Sequence, residues 1–216
     1  MNELFSVYEK LLLEWNEKIN LTAITDPKEI RIKHFEDSLS LFETRLLDGE
    51  KKVLDLGSGA GFPGIPIKIK NPSLDITLMD SLGKRIKFLE AVIEKLSLKK
   101  ITAVHGRAEE LGRNEIYRES FDVVVSRAVA ELSTLLEYAV PFVKAGGYFI
   151  AMKGANAEEE IKKAENALKV LGCSVEDTIS VKLPPDITHC LIVIRKNKKT
   201  EKKYPRGQGK PRKNPL

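Results

Sequence analysis

The sequence predicts an α/β domain built on a mostly parallel β-sheet with helices on both faces. From Val53 onward, short apolar segments typical of buried strands alternate with longer segments of helical periodicity, and this alternation is typical of a parallel sheet. A glycine-rich turn directly follows the first of these strands. Only residues 183–187 separate the last two apolar segments. Because this connection is too short for a helical crossover, we expect these two strands to form an antiparallel hairpin.

The α/β part of the chain is predicted to contain seven strands and four helices. Strands are expected over residues 52–56, 75–80, 100–105, 121–126, 147–153, 174–182 and 188–195, and helices begin near residues 62, 83, 131 and 156. A chain of 216 residues, of which 42% are hydrophobic, can bury one sizeable core. We expect three regions: an N-terminal helical extension (1–48) packed on the main domain, the α/β domain (49–196) and a basic C-terminal tail (197–216).

Two amphipathic helices are predicted ahead of the first strand. The first has one apolar face that should pack on the sheet, formed by Leu4, Phe5, Tyr8, Leu11, Leu12 and Trp15. The second begins at Asp26-Pro27-Lys28-Glu29, which combines an N-cap, a first-turn proline and a capping-box glutamate. Its His34 and Ser38 are four residues apart and share a face. That face either borders a substrate pocket or is the polar side of a surface helix.

The composition argues against several classes of protein. Cys173 and Cys190 are far apart, without a second pair or a histidine cluster, which argues against a disulfide scaffold and a metal site. The N-terminus lacks a basic start and a long apolar segment, and no apolar run approaches the ~20 residues of a membrane span. We expect a soluble cytoplasmic protein with no metal and no membrane partner.

The glycine-rich turn predicts a nucleoside cofactor site. Its sequence is Asp55-Leu56-Gly57-Ser58-Gly59-Ala60-Gly61-Phe62. Glycines allow positive φ and close approach of a ligand, and the helix start that follows offers N–H groups to a carboxylate. Phe62 stands where the dinucleotide pattern G-x-G-x-x-G needs its third glycine, and no Gly-Lys-Ser/Thr follows. The turn therefore favours S-adenosylmethionine over NAD or a nucleoside triphosphate.

Other strand ends are predicted to surround the same crevice. Ligands of such sheets bind at the carboxyl ends of the strands, where strand order reverses, so residues 57–62, 80–82, 106–109 and 126–128 should meet there. Asp80 lies where a ribose-binding acid belongs, and its carboxylate offers acceptors for both ribose hydroxyls. Residues 106–109 are expected at the adenine edge. Arg127 would meet a carboxylate or an RNA phosphate, with a surface ion pair as the alternative.

Positive charge is concentrated at the C-terminus. The net charge is +5, and residues 195–216 contain ten Lys or Arg against one acid, which leaves 26 basic and 30 acidic residues elsewhere. Such a segment is typical either of an arm that neutralises nucleic-acid phosphates or of a solvated, disordered tail. Together with a cofactor site, it favours RNA or DNA as the partner. Deleting residues 198–216 is then expected to weaken RNA methylation and to spare cofactor binding.

The residues near the crevice narrow the acceptor of a methyl group. Methyl transfer from a sulfonium requires chiefly that donor and acceptor be held in position. The fourth strand ends in Ser126-Arg127-Ala128-Val129, without the Asn/Asp-Pro-Pro-Tyr/Phe turn expected for exocyclic amines, and neither cysteine has a neighbouring histidine in sequence, as a pyrimidine C5 nucleophile would. A ring nitrogen with a free lone pair, such as guanine N7, needs neither a base nor a nucleophile. We therefore assign no catalytic residue.

Motifs along nearly the whole chain match one known family. They are Asn20-Leu21-Thr22, His34 with Asp37-Ser38, residues 55–66 including Gly-Phe-Pro-Gly-Ile-Pro, Asp80-Ser81 with Lys84-Arg85, Gly106-Arg107-Ala108-Glu109, Ser126-Arg127-Ala128 and the tail from Tyr204-Pro205-Arg206 to Pro215-Leu216. The Gly-Phe-Pro-Gly-Ile-Pro and Tyr-Pro-Arg segments are far more specific than a general methyltransferase loop. With them, the chain resembles ribosomal small-subunit methyltransferase G, or glucose-inhibited division protein B, a family of bacterial 16S rRNA guanine-N7 methyltransferases.

The resemblance implies a Rossmann-like class I S-adenosylmethionine-dependent fold and N7 methylation of guanosine 527 in 16S rRNA of the small ribosomal subunit or its precursor, with S-adenosylhomocysteine as product. The cofactor contacts it implies are Gly57, Phe62, Asp80, Ser81, Leu82, Ala108, Glu109 and Arg127. Our candidates for RNA contact are Arg127, Lys84, Arg85, Lys202, Lys203, Tyr204, Arg206, Lys210 and Arg212. We expect a monomer.

Two alternatives to this reading of the chain stay open. One is another S-adenosylmethionine-dependent methyltransferase that acts on RNA or a small molecule. The other is a non-enzymatic RNA-binding protein that keeps a Rossmann-like domain. Binding of S-adenosylmethionine discriminates the second from the first.

Overall fold

The seven-stranded sheet has the predicted mixed character. In the computed structural model, which describes residues 3–127 and 130–216, the strand order is β3-β2-β1-β4-β5-β7-β6. The strands are β1 (Lys52–Leu56), β2 (Asp75–Asp80), β3 (Ile101–His105), β4 (Phe121–Arg127), β5 (Val143–Lys153), β6 (Cys173–Leu183) and β7 (Ile187–Lys196). The first five strands pair in parallel, and β7 pairs antiparallel with both β5 and β6. The predicted fold class and final hairpin are confirmed.

The helices connect the strands as expected, with two additions. They are α1 (Glu3–Asn16), α2 (Pro27–Ile30), α3 (Asp37–Leu39), α4 (Gly64–Lys70), α5 (Gly83–Lys95), α6 (Ala108–Leu111), α7 (Leu132–Ala139), α8 (Ala157–Lys163), α9 (Glu165–Leu171) and α10 (Lys210–Lys213). The four predicted helix starts agree with α4, α5, α7 and α8 to within two residues. The additions are the short α6 and the break that separates α8 from α9. The predictions that fall on Ala128 and Val129 lie outside the described residues.

Two apolar clusters cover the two faces of the sheet, because successive side chains of a strand point to opposite sides. Val53 belongs to the cluster that contains α1, α4 and α5, whereas Leu54 belongs to the cluster that contains α7 and α9. In α1, Phe5, Tyr8 and Leu12 are buried in the first cluster, which confirms the predicted apolar face. The N-terminal helices therefore pack on one side of the sheet.

The second N-terminal helix is interrupted rather than regular. The side chain of Asp26 caps α2 by accepting hydrogen bonds from the backbone N–H groups of Lys28 and Glu29, both at 2.9 Å. The helix continues as a π-helical turn over Arg31–Glu36, then as α3, and ends in a 3-10 turn over Ser40–Thr44. π-turns inside helices are rare, but those that do occur are often found at functional sites. The capping proposal is confirmed for Asp26, while the π-turn was not anticipated.

His34 and Ser38 lie in the interior. They are 8% and 0% exposed, and the Ser38 hydroxyl donates a hydrogen bond to the carbonyl oxygen of His34 at 2.5 Å. The alternative that these residues form the polar face of a surface helix is wrong. The reason is that α1 and the glycine-rich turn pack over this segment, as the contacts of Phe35 with Tyr8 and Phe62 show.

The basic tail folds back onto the protein. Thr200 and Tyr204 are each 7% exposed, and Tyr204 packs in the cluster that contains α7. The Arg118 guanidinium donates hydrogen bonds to the carbonyl oxygens of Thr200, Glu201 and Tyr204 at 2.8–3.2 Å. The alternative of a wholly solvated tail is therefore wrong for this segment. Among the helices that the structure describes, none has the length and apolar character to cross a bilayer.

Candidate cofactor site

The glycine-rich turn leaves the end of β1 in a conformation that glycine favours. Gly57, Gly59 and Gly61 have φ of +77°, +58° and +93°, values that side chains rarely adopt. At Gly61 a Cβ atom would overlap the Ile65 side chain and lie 2.7 Å from the Tyr8 hydroxyl oxygen. Tyr8 in turn donates a hydrogen bond to the carbonyl oxygen of Ala60. Helix α1 and the turn therefore hold each other in place.

Asp80 organises the turn from the neighbouring strand. Its Oδ2 accepts hydrogen bonds from the Gly59 N–H at 2.9 Å and from the Arg85 guanidinium at 3.3 Å, and its Oδ1 accepts from the Leu82 N–H at 2.9 Å. A carboxylate offers about four acceptor positions, so about one remains free. We expected Asp80 to accept from both ribose hydroxyls. In this geometry it has room for one hydrogen bond unless Arg85 moves away.

A cavity of about 300 Å³ lies at the carboxyl ends of β1, β2 and β3. The described residues that line it are Leu56, Gly57, Met79, Asp80, Ser81, Gly106, Arg107, Ala108, Glu109, Tyr138 and Arg212. Five of the eight expected cofactor contacts are in this wall: Gly57, Asp80, Ser81, Ala108 and Glu109. Three strand ends thus meet at one cavity, as the sheet topology requires.

The other three expected contacts lie outside that described wall. Leu82 is 42% exposed at the start of α5. Phe62 and Arg127 form a separate cluster, in which the Arg127 guanidinium lies 5.0 Å from the centre of the Phe62 ring. That ring is 5% exposed and packs against His34, with 4.5 Å between ring centres. The eight residues that the sequence assigned to one site therefore lie in separate places: five line the cavity, Phe62 and Arg127 form a neighbouring cluster, and Leu82 is exposed.

Arg127 joins the end of β4 to the N-terminal helical segment. Its guanidinium donates to the Asp37 carboxylate at 2.8 Å and to the Lys33 carbonyl oxygen at 3.1 Å. The Asp37 carboxylate also lies 3.2 Å from Nδ1 of His189 on β7. The Arg127 and Asp37 side chains are 17% and 13% exposed, so this is a largely buried ion pair rather than a surface one.

Burial and positive charge keep His34 neutral. Burial lowers the pKa of His34 to about 4, and the Arg127 charge acts in the same direction. Nε2 of His34 lies 2.8 Å from the hydroxyl of Thr22. At neutral pH this histidine is an uncharged member of the cluster. Its ring nitrogens lie close to the Thr22 hydroxyl and to the Lys33 carbonyl oxygen. The ring is therefore placed to hold these two groups in position.

Asp55 is a site residue that the sequence analysis did not single out for a role. Its side chain is fully buried below the glycine-rich turn, and Oδ2 accepts a hydrogen bond from the Gly64 N–H at 2.8 Å. Burial raises the pKa of Asp55 to about 7, although this hydrogen bond and the Arg127 charge oppose the shift. Its position two residues before the first glycine was a signal that could have identified it.

The RNA-binding candidates divide into exposed and engaged side chains. Lys84, Lys202, Lys210 and Arg212 are exposed. Lys203 is exposed as well, and its ammonium pairs with the exposed Glu201 at 2.9 Å. Arg85 pairs with Asp80, Arg127 pairs with Asp37, and Arg206 pairs with Glu137, whereas Tyr204 is core. A ring packed in the core is not free to stack on a base. The structure thus gives Tyr204 and Arg206 structural contacts in place of the free arm that the sequence suggested.

Two wall residues of the cavity, Tyr138 and Arg212, come from parts of the chain that had no cofactor assignment. Tyr138 lies on α7, which reads as an apolar core helix in sequence, so no local signal marked it. Arg212 lies in the tail, and its place in the wall means that deleting residues 198–216 alters the cavity as well as the charge of the protein. Within residues 3–127 and 130–216, no cluster of His, Cys, Asp and Glu is arranged to hold a metal ion.

Several solved structures resemble this chain at low sequence identity. A putative O-methyltransferase from Klebsiella pneumoniae matches with a TM-score of 0.60 at 12% identity, covering 88% of this chain and 90% of that one. The structure of M. jannaschii TYW2 in complex with AdoMet matches with a TM-score of 0.57 at 14% identity, covering 74% of this chain and 77% of that one. At these identities, the similarity shows the class I methyltransferase fold.

Sequence relatives identify the family. A family model described as "GidB: rRNA small subunit methyltransferase G" matches residues 1–188. The ribosomal RNA small subunit methyltransferases G of Alkaliphilus oremlandii and Acetivibrio thermocellus are each 54% identical to this chain. The alignments cover 97% and 98% of this chain and 88% and 87% of those proteins. The chain therefore belongs to the rRNA small subunit methyltransferase G family.

Proposed function

We propose that this protein transfers a methyl group from S-adenosylmethionine to N7 of guanosine 527 in 16S rRNA, with S-adenosylhomocysteine as the product. The observation that carries this proposal is the family match over residues 1–188. The cavity at the ends of β1, β2 and β3 supports it, because this is where the fold places a nucleoside ligand. We further propose that the enzyme acts as a monomer in the cytoplasm on the small ribosomal subunit or its precursor.

The residues present fit an adenosine-containing cofactor. The cavity of about 300 Å³ lies at the lower end of the range for small-molecule sites. Asp80 keeps an acceptor position for a ribose hydroxyl, and Ala108 and Glu109 begin the short helix α6 at the cavity wall. The positive φ at Gly57 and Gly59 lets the backbone approach a ligand closely. We propose Gly57, Phe62, Asp80, Ser81, Leu82, Ala108, Glu109 and Arg127 as the cofactor-binding set.

The chemistry requires positioning more than proton transfer. When bound, S-adenosylmethionine supplies an electrophilic methyl group, and guanine N7 carries a free lone pair and no proton. A general base is therefore unnecessary, and catalysis depends on near-attack geometry. Asp80 orients the glycine-rich turn, and the buried Arg127–Asp37 pair fixes the end of β4 against the N-terminal helical segment. These contacts hold the reaction site rigid.

Exposed cations near the cavity and in the tail are the proposed RNA contacts. Lys84 lies at the start of α5, beside the wall residues Asp80 and Ser81, and Lys202, Lys203 and Lys210 are exposed in the tail. Contacts of Lys and Arg with phosphates make binding depend on salt, with a slope of about 0.7 per phosphate for single-stranded RNA. We expect Lys202→Ala with Lys203→Ala to reduce that slope by roughly one to two. Lys163→Ala, which removes an exposed cation from α8, is the matched control.

The decisive experiment is transfer of labelled methyl groups to 16S rRNA and to small subunits that lack this modification. Borohydride reduction followed by aniline treatment, which breaks the chain at N7-methylguanine and leaves unmodified guanine intact, then maps the product. We expect a single cleavage at guanosine 527. Methylation of another nucleotide, or of an exocyclic amine, would overturn the assignment of the target. The absence of S-adenosylmethionine binding by calorimetry would instead favour a non-enzymatic RNA-binding protein.

A further inference from the structure

The C-terminal tail is anchored on α7 by an ion pair between Arg206, whose side chain is 24% exposed, and a fully buried carboxylate. Glu137 is 0% exposed, and its carboxylate accepts hydrogen bonds from Nε and Nη2 of Arg206 at 2.6–3.1 Å and from the Arg206 backbone N–H at 2.7 Å. This bidentate geometry is the strong form of an ion pair. A buried carboxylate without its partner is strongly unfavourable, so the pair fixes where the tail leaves the core.

A second set of contacts fixes the tail on both sides of Arg212. Pro211 is buried, and its carbonyl oxygen accepts a hydrogen bond from the Thr134 hydroxyl at 3.2 Å. On the other side, Nη2 of Arg206 donates to the carbonyl oxygen of Asn214 at 2.8 Å. The backbone around Arg212 is thereby held against α7. Its position near the cavity is a consequence of these contacts.

The same face of α7 supplies the anchors and part of the cavity wall. Thr134, Glu137 and Tyr138 are spaced by three and four residues, so they lie on neighbouring positions of one helix face. Thr134 and Glu137 hold the tail, while Tyr138 and Arg212 line the cavity together with Asp80 and Glu109. Within the described part of the chain, no hydrogen-bonding or ion-pair partner engages the Arg212 guanidinium. It is therefore available to a ligand.

We propose that the docked tail is a wall of the cofactor pocket and that Arg212 contacts the adenine of S-adenosylmethionine. This inference rests on the proposed function for the identity of the cofactor. A guanidinium is flat and carries donors in one plane, so it suits the ring face and the N1, N3 and N7 acceptors of adenine. The acidic residues Asp80 and Glu109 lie in the same wall as Arg212 and would repel a phosphate of RNA. They therefore favour an uncharged adenine over a phosphate as the ligand of Arg212. The tail thus serves the cofactor through Arg212.

The test measures cofactor affinity in the absence of RNA. Calorimetry would give the Kd of S-adenosylmethionine and S-adenosylhomocysteine for the full-length protein and for Arg212→Ala, Arg212→Lys and Lys213→Ala. Lys213 is the exposed neighbour of Arg212 in α10 and carries the same charge. We expect Arg212→Ala to raise both Kd values on the order of tenfold, as for the loss of a charged hydrogen bond. Arg212→Lys should be intermediate, and Lys213→Ala should bind like the parent.

Filter binding of a 16S rRNA fragment to the same proteins completes the test. The inference is overturned if Arg212→Ala binds both ligands as tightly as the parent, if it weakens only RNA binding, or if Lys213→Ala weakens cofactor binding equally. Melting curves of each variant show whether a loss of affinity reflects unfolding. If Arg212→Ala is unfolded, the Kd of Arg212→Lys, which keeps a long side chain, decides whether the guanidinium contributes to cofactor binding. Methylation of a different nucleotide by the parent protein would refute the proposed target and leave this inference standing.

Discussion

Replacing Arg206 with alanine should reveal how much of the stability depends on the docked tail. The change removes the guanidinium that pairs with Glu137. Within residues 3–127 and 130–216, the carboxylate, which is 0% exposed, then keeps only the backbone N–H of residue 206 as a partner. Breaking a buried pair in this way costs about 3–5 kcal/mol. Detachment of the tail would rehydrate Glu137 and limits the loss, so we expect about 3 kcal/mol.

Urea denaturation followed by circular dichroism would measure this loss. For a chain of this size, a loss of 1 kcal/mol in the free energy of unfolding lowers the melting temperature by about 2–4 °C. A thermal melt of Arg206→Ala should therefore show a decrease of roughly 6–12 °C. Lys163→Ala is the control, because Lys163 and Glu159 form a pair whose side chains are 64% and 62% exposed, and such pairs contribute about 0–1 kcal/mol. A loss below about 1 kcal/mol for Arg206→Ala would refute the reasoning that the pair is buried and stabilising.

Three further predictions concern the residues around the glycine-rich turn. Burial raises the pKa of Asp55 from its usual 3.8 to about 7, so the folded state holds a proton that the unfolded state releases, and stability falls as the pH rises from about 4 to 7. Asp55→Asn should remove this dependence and gain up to roughly 4 kcal/mol relative to the parent between pH 5 and 8; parallel pH profiles in urea titrations would contradict this. Gly64→Ala should destabilise the fold by about 1–3 kcal/mol, because its Cβ would overlap the Leu78 side chain and lie 2.7 Å from Oδ2 of Asp55, whereas Gly154→Ala projects into open space and serves as the control. Arg127→Ala should raise the pKa of His34 from about 4, since the Arg127 charge helps to lower it; an NMR titration of the His34 ring that is unchanged by the substitution would exclude this coupling.

The elements that could be predicted from sequence are those whose signals are local. Hydrophobic periodicity, the glycine-rich turn and the Asp26 cap depend on neighbours in the chain, and the corresponding strands, turn and helix start are confirmed. The π-turn over Arg31–Glu36 was not foreseen. Its helix has ordinary amphipathic spacing, and no single residue in it signals an irregular hydrogen-bond pattern.

The candidate site was predicted in part, for the same reason. Asp80 ends β2 and Glu109 follows β3, so the rule that ligands bind at strand ends brings them to one cavity. Tyr138 and Arg212 were not assigned to this cavity because their positions depend on how α7 and the tail pack. Likewise, the pairing of Arg127 with Asp37 joins residues from β4 and the N-terminal segment, and nothing in the local sequence specifies that partner.

The tail shows the limit of sequence reasoning most clearly. Its charge and prolines indicate a nucleic-acid arm or a solvated segment. Composition carries no information about which distant residues such a segment contacts. Glu137, the partner that fixes it, is the one charged residue of α7 and is wholly buried. By itself the sequence determined the fold class, the cofactor turn and the family, because these depend on periodicity and contiguous motifs. The tertiary structure alone decided that the tail docks beside the cavity, because burial of a charge is favourable only where a distant opposite charge meets it.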